Sequence, residues 1–391
     1  MTKLYEVTKN FIHKVKTPAY VVDEGLLIKN LEILKSVREK TGAKVLLAQK
    51  AFSMYSVYPM ISQYLDGTTA SGLYEARLGF EEMGNREVHV YAPAYRGSDM
   101  EQLVQICDHI VFNTPKQWNK YKEKVIQSDR KISCGIRINP GYAEVETDLY
   151  NPCIPGSRLG TPLESLKMED LEGINGLHFH TMCEQDADVL WRTVQIVDEK
   201  FGPYLKCMKW INFGGGHHIT KDGYQMEYLE KSIQLFQEKY GLTVYLEPGE
   251  AIALNAGFLI SEILEVMENG KKIAILDTSA ACHMPDVLEM PYYPMILQDN
   301  KVCSQVEKED EFVYRLGGPT CLAGDVIGDY KFYKKVEEGQ RLVFCDMAIY
   351  SMVKNNTFNG MPLPAIYLYT KEGTLKLIRE FYYEDFKKRL S

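Results

Sequence analysis

The chain has 391 residues, 45% of them hydrophobic and 25% charged, and a formal net charge of −8. That length suits two or three domains with a core that needs no staple. The acidic balance argues against a nucleic-acid binder, which carries a basic face, and no run approaches the ~20 apolar residues of a membrane span.

Nine cysteines without a CxxC pair fit no closed disulfide framework, so reduced thiols are expected. The opening stretch MTKLYEVTKNFIHKVKTPAY has no apolar run of the signal-peptide kind, and the expected location is cytoplasmic.

In chain order, a strand-like run, TPAYVVD, leads to Asp23, which reads as the N-cap of a helix carrying Leu27, Leu31 and Leu34 at helical spacing. Eight apolar, β-branched runs follow, each ending beside a residue able to do chemistry. Residues 44–49 lead into Lys50, 67–70 into Ser71, 88–92 into Pro93 and 110–112 into Asn113. The run 132–138 carries Arg137 and leads into Asn139, 174–179 leads into His180, 208–213 into Gly214, and 243–246 into Glu247. Helical patterns separate most of them. Serial βα units predict a parallel sheet, and eight predict a (β/α)8 TIM-type barrel over residues 24–252, with catalytic groups at the C-terminal strand ends. An open doubly wound sheet is the alternative.

Beyond residue 252 the runs KKIAILDT, EFVYRLGG, QRLVFCDM and PAIYLYT are short, β-rich and punctuated by Gly and Pro. They predict a second, all-β domain, sandwich-like or barrel-like, built from residues 253–391 together with 1–23.

The residues with chemical potential are individually ambiguous. Lys50, at the end of an apolar run, is either a desolvated Schiff-base former or a snorkelling surface lysine. Gly214, Gly215 and Gly216 before a helical stretch can cradle an anion or simply turn the chain; they form neither a P-loop nor a dinucleotide fingerprint. His178 and His180 form an HxH pair, whose side chains point the same way on a strand. No carboxylate or cysteine set of recognised spacing completes a metal site around them, so no metal is expected. One histidine is read as a stacking group for a flat ligand, the other as a satisfied core residue. Glu247 in LEPGEA can hold a proton on a heteroaromatic nitrogen, act as a base or cap a turn. Cys321 lies in the loop RLGGPTCLAGD with Asp325, and Tyr350 lies beside an Asn-rich turn; neither means much alone.

Taken together and in order, LAQKAF, ASG, RINPG, HFH, GGG, EPG, GGPTC…D and AIYSMVKNNTFNG resemble the fold-type III pyridoxal-phosphate decarboxylases, the group of ornithine and diaminopimelate decarboxylases. The resemblance runs from about Thr17 to Tyr369, and it implies an alanine-racemase-like barrel plus β-domain. SGLYEAR, EPGEA and ACHMPDVLEMPY point to the branch that acts on carboxylated polyamines.

The resemblance implies pyridoxal 5'-phosphate as cofactor and a role for each residue. Lys50 would link the cofactor, His180 would stack on its ring, and Gly214 to Gly216 with Tyr350 would grip its phosphate. Glu247 would pair with the pyridine nitrogen and Arg137 would brace the site from beneath. Cys321 and Asp325 would reach across the interface of a homodimer with shared active sites, Cys321 as proton donor.

Two departures stand out. EPG is followed in the family by a phosphate-binding Arg but here by Glu250, which is read as a contact for a substrate ammonium, with Asp286 as a second acidic contact. Thr68 occupies the region where ornithine decarboxylase has an aspartate; Glu75 is offset by one and receives no role. The competing functions are diaminopimelate decarboxylase and a non-catalytic, cofactor-binding regulator. The choice between two polyamine substrates one methylene apart lies beyond the sequence.

Overall fold

The structure is a computed structural model, and it describes residues 7–145, 147–298, 301–305 and 312–391. The chain forms two compact units, Asn30–Ile252 and a second that joins residues up to Lys29 with Ala253–Ser391.

The chain opens with strand β1 (Ala19–Asp23) and helix α1 (Glu24–Thr41). The helix starts where the sequence predicts, because Asp23 Oδ1 accepts the Leu26 N–H at 2.8 Å. Leu27, Leu31 and Leu34 are completely buried along one face.

The first unit holds β2 (Lys44–Ala48), β3 (Gly67–Ala70), β4 (Glu87–Tyr91), β5 (His109–Phe112), β6 (Ser133–Asn139), a two-residue β7 (Thr161–Pro162), β8 (Gly176–His178), β9 (Trp210–Asn212) and β10 (Thr243–Leu246). All pair in parallel in the order β5-β4-β3-β2-β10-β9-β8-β6, and β6 returns to β5, so eight strands close into a barrel. These are the eight predicted strands, with several ends shifted, trimmed or extended by a residue or two. Covering helices include α2 (Leu73–Glu82), α3 (Gly97–Ile106), α4 (Pro115–Ile126), α5 (Ala187–Leu205) and α6 (Met226–Tyr240). Local chemistry sets their ends: Thr114 caps α4 ahead of Pro115, and Gly241 at φ 69° ends α6. Between β6 and β8 the Gly- and Pro-rich residues 140–145 and 147–160 build irregular turns and one short 3₁₀ segment, Asp148–Tyr150, where another unit would place a helix.

The floor of the barrel is filled by large side chains. Trp210 lies against Gly135 and Gly176, where an added Cβ would come within 2.3 and 2.0 Å of the indole. The Trp210 Nε1–H donates to Ser133 Oγ at 2.8 Å. His89 and His109 stack beside it with centroids 3.9 Å apart, and Tyr245 closes the layer.

In the second unit the long β11 (Gly257–Glu268) is the spine. It pairs with β1 and then, through its far half, with β12 (Lys272–Leu276). The sheet continues through β13 (Ile296–Gln298), β14 (Lys301–Gln305), β15 (Val313–Gly317), β16 (Val326–Lys331) and β17 (Arg341–Cys345). The path β11-β12-β15-β16-β14-β13-β17 returns to β11 and closes a seven-stranded ring. The N-terminal β1 lies between β11 and β18 (Ala365–Tyr369), with β19 (Leu375–Arg379) at the edge. Alternation along β11 places Leu259 and Ile263 in one apolar cluster and Phe258 and Ile260 in another. Among the described residues, no helix is long and apolar enough to cross a membrane.

Candidate active site

Within the unit Asn30–Ile252, the predicted site residues converge at the C-terminal ends of the barrel strands. Lys50 stands in the turn after β2. Its neighbour Gln49 is fully buried and locks that turn: its Nε2 donates to the Glu75 carbonyl at 2.5 Å, and its Oε1 accepts the Tyr58 hydroxyl at 3.1 Å. Lys50 is reached by solvent but is closely surrounded by protein. That desolvation, with the charge of Arg137, lowers its amine pKa against the opposing pull of Glu247, Cys183 and Glu75. A lysine so placed has a larger neutral, nucleophilic fraction at neutral pH.

Glu247 ends β10 and is buried. Burial opposes its ionisation, yet the facing His178 and the Asn212 amide outweigh burial and hold the carboxyl well below its usual range. Asn212 Nδ2 donates to Glu247 Oε1 at 2.8 Å, and His178 Nε2 lies 3.4 Å from Oε2. His178 therefore departs from the satisfied core histidine of the sequence reading. Neither ring nitrogen makes a well-formed hydrogen bond, and the ring reaches the carboxylate across the strand ends, where His178 on β8 is in register with Asn212 on β9. A buried carboxylate kept ionised suits a protonated heterocyclic nitrogen.

His180 lies just past β8. Burial pushes its pKa far down, so the ring is neutral, and its Nδ1 accepts the Gly215 N–H at 3.0 Å. Arg137, buried on β6, donates to the His180 carbonyl at 2.9 Å and lies 4.6 Å over the Tyr91 ring. Arg137 thereby ties the end of β6 to the segment that carries His180.

The glycine run works mainly by close approach. A Cβ at Gly214 would meet His180 Cβ at 2.6 Å, one at Gly215 the Glu247 carbonyl at 2.3 Å, and one at Gly216 the Met182 carbonyl at 2.0 Å. Gly214 and Gly216 also adopt φ of 71° and 83°. Two of the three N–H groups are already engaged, that of Gly214 by Asn212 Oδ1 and that of Gly215 by His180. Among the described residues, the Gly216 N–H has no protein acceptor and is the one this run offers to an anion.

Glu250 lies three residues past Glu247, and its Oε2 is 3.2 Å from His218 Nε2. Glu75 accepts the Ser71 N–H at 2.6 Å; burial raises its carboxyl pKa, while the backbone bond and nearby Lys50 pull it back. Sequence reasoning missed Asn212, Cys183, His218 and the partnership of Glu75 with Lys50. The first and third flank the glycine run and were within reach; Cys183 carries no local signal.

The remaining predicted residues belong to the second unit. Cys321 is exposed, with its N–H bonded to Asn359 Oδ1 at 2.9 Å. Asp325 is 4% exposed and braces the Cys321 loop, accepting from Thr320 Oγ1 at 2.7 Å and the Ala281 N–H at 3.2 Å. Asp286, expected as a free acidic contact, is paired with Lys354, which also binds Glu289. Tyr350 adopts φ 53° and ψ −39°, a sparsely populated conformation for a non-glycine residue of the kind found at ligand sites.

The nucleophilic lysine, the ionised buried carboxylate and the glycine loop fit pyridoxal phosphate. A metal fits less well. His178, His180 and Glu247 bring ligating atoms within 4.8 Å, but Gly215 and Asn212 already occupy two of these groups. Glu87, His89 and His109 do the same at the barrel floor. There the two rings are parallel within 8° and stacked, so no ion can lie in the plane of both.

Comparison with known proteins agrees. Residues 19–348 match the family described as pyridoxal-dependent decarboxylase, C-terminal sheet domain. The chain is 45% identical over 386 residues to a carboxynorspermidine/carboxyspermidine decarboxylase of Campylobacter jejuni, covering 97% of this chain and 100% of the relative. It is 42% identical over 381 residues to a carboxyaminopropylagmatine decarboxylase of a Synechocystis species, covering 97% and 96%. A crystal structure of carboxynorspermidine decarboxylase from Campylobacter jejuni, complexed with norspermidine, superposes with a TM-score of 0.87 at 44% identity, covering 96% of this chain and all of that one. Diaminopimelate decarboxylases are more distant, for example 24% identical in Archaeoglobus fulgidus.

Proposed function

The chain belongs to the pyridoxal-dependent decarboxylases, and on that premise we propose that it releases CO2 from a carboxylated polyamine, carboxynorspermidine or carboxyspermidine, to leave norspermidine or spermidine. The carrying observation is Glu250, an acidic side chain at the barrel's C-terminal end, three residues past Glu247 where the family pattern has Arg. A protonated amine is stabilised by such a carboxylate, whereas the distal carboxylate of diaminopimelate is repelled.

Pyridoxal phosphate supplies the electron sink for the pair left when the carbon–carboxylate bond breaks. Lys50 would hold the cofactor, and its lowered amine pKa favours that attachment. Glu247, oriented by Asn212 and His178, would hold a proton on the pyridine nitrogen. His180, fixed by the Gly215 N–H at its Nδ1 and by Arg137 at its carbonyl, would stack on the ring. The Gly216 N–H and the Tyr350 hydroxyl would hold the phosphate. Cys321 delivers the proton that replaces CO2 on the α-carbon. Its exposure in a single chain suits a group that meets a second copy, in a cytoplasmic homodimer with shared sites. Asp325 serves this step by holding the Cys321 loop, and Asp286 meets a substrate amine only by exchanging Lys354.

A carboxyaminopropylagmatine substrate is the second reading, favoured by the 42% identity to an enzyme of that name. A regulator without activity is disfavoured by the retention of Lys50, Glu247 and Cys321. Glu250→Gln tests the proposal: KM for carboxynorspermidine should rise ~10- to 100-fold, the loss of one charge-assisted contact, with kcat little changed. An unchanged KM contradicts the role given to Glu250.

A further inference from the structure

Asn212 ties together two parts of the site that are usually considered apart. It is 1% exposed at the C-terminal end of β9, in register with His178 on β8 and Tyr245 on β10. Its Nδ2 lies 2.8 Å from Glu247 Oε1, and its Oδ1 lies 2.8 Å from the Gly214 nitrogen. The Glu247 N–H in turn donates to the Gly214 carbonyl at 2.8 Å, so loop and carboxylate are bound to each other twice.

Chemistry fixes the orientation of the amide. Turned over, it would set its oxygen against the carboxylate and its NH2 against the Gly214 N–H, two repulsions in a dry site. No other side chain of this length can donate to Glu247 and accept from Gly214 at once. An ionised Asp cannot donate, and Leu can do neither.

We propose that Asn212 is a positioning residue that aligns the Glu247 carboxylate with the glycine loop, so that the cofactor's ring nitrogen and phosphate are held in one fixed spacing. This rests on the proposed use of Glu247 and the loop by pyridoxal phosphate. It is separable from the substrate assignment, since it concerns binding of the cofactor alone. The titratable groups around Glu247 are His178, His89, His217 and, across the site, Lys50. None of them contacts the Gly214 N–H, which Asn212 alone engages.

Asn212→Asp is the test, because it keeps the shape and the Gly214 contact but sets a second carboxylate against Glu247. In the full-length protein, titration with pyridoxal phosphate followed by absorbance should show affinity reduced ~10- to 100-fold. The bound-cofactor spectrum should acquire a pH dependence between about pH 5 and 8, absent from wild type, as two facing carboxylates come to share a proton. kcat should fall more than KM rises. The double variant Asn212→Asp/Glu247→Gln restores a donor–acceptor pair and should recover the melting temperature but not the spectrum. A purely structural asparagine predicts a lower melting temperature with wild-type affinity and spectrum in the folded fraction, and that result overturns the proposal. So does an Asn212→Asp protein indistinguishable from wild type.

Discussion

The two ends of the barrel use the same materials for opposite purposes. At the floor, Gly135 and Gly176 make room for a side chain of the protein itself, and Trp210 fills it. Stacked His89 and His109 with Tyr245 complete a closed layer. At the C-terminal end, Gly214 to Gly216 draw backbone and His180 together, while Lys50 stays accessible to solvent. Burial lowers the pKa of histidines at both ends, His109 to about 2 and His217 to about 4. The upper end sets a buried carboxylate held ionised, Glu247, near a lysine amine held toward neutrality, Lys50. Perturbed groups thus mark the site only when they come with room for a ligand.

Paired glycine substitutions sharpen that contrast most strongly. Gly176→Ala should cost ~1–3 kcal/mol or more of stability through overpacking against Trp210, seen as a lower melting temperature. Its cofactor affinity should match wild type in the folded fraction. Gly216→Ala sets a Cβ against the Met182 carbonyl at a φ of 83° and should lose cofactor affinity at least ~10-fold beyond what its stability loss explains. Equal affinity losses in the two variants would erase the distinction between floor and site.

A smaller effect separates the ends by pH. His109 is neutral in the fold, its pKa pushed by burial from the ordinary 6.5 down to about 2. Between those values the unfolded chain binds the proton and the folded one does not. Its contribution is therefore complete above about pH 6.5 and is lost progressively as pH falls. Near pH 4.5 the loss from this residue reaches ~3 kcal/mol. His109→Gln should flatten the fall in melting temperature between about pH 6.5 and 4.5 without changing cofactor affinity; an unaltered slope contradicts the buried-neutral assignment.

Most of this architecture was legible in the sequence because each barrel strand is a short apolar run ending at a polar residue, and burial on both faces demands that pattern. Lys50, Arg137, His180 and Glu247 were readable for the same reason: they sit where a barrel puts its chemistry. What the sequence hid were pairings. His178 looked like core because only the fold shows Glu247 opposite it. Asp286 looked free because Lys354 is 68 residues away in the chain. The hold of Asp325 on the Ala281 N–H was hidden because the two lie 44 residues apart in the chain. The glycine run read as three anion donors, but two of those N–H groups turn inward to Asn212 and His180.

The proposed reaction is decarboxylation of a carboxylated polyamine at the upper end of this barrel. It is tested most directly by CO2 release from purified enzyme supplied with pyridoxal phosphate, with carboxynorspermidine, carboxyspermidine, carboxyaminopropylagmatine and diaminopimelate compared side by side and Lys50→Ala as control. The predicted result is kcat/KM for a carboxylated polyamine at least ~100-fold above that for diaminopimelate, equivalent to ~3 kcal/mol of discrimination, and no turnover without Lys50. Diaminopimelate turned over as well as the polyamines, or CO2 release surviving in Lys50→Ala, would contradict it.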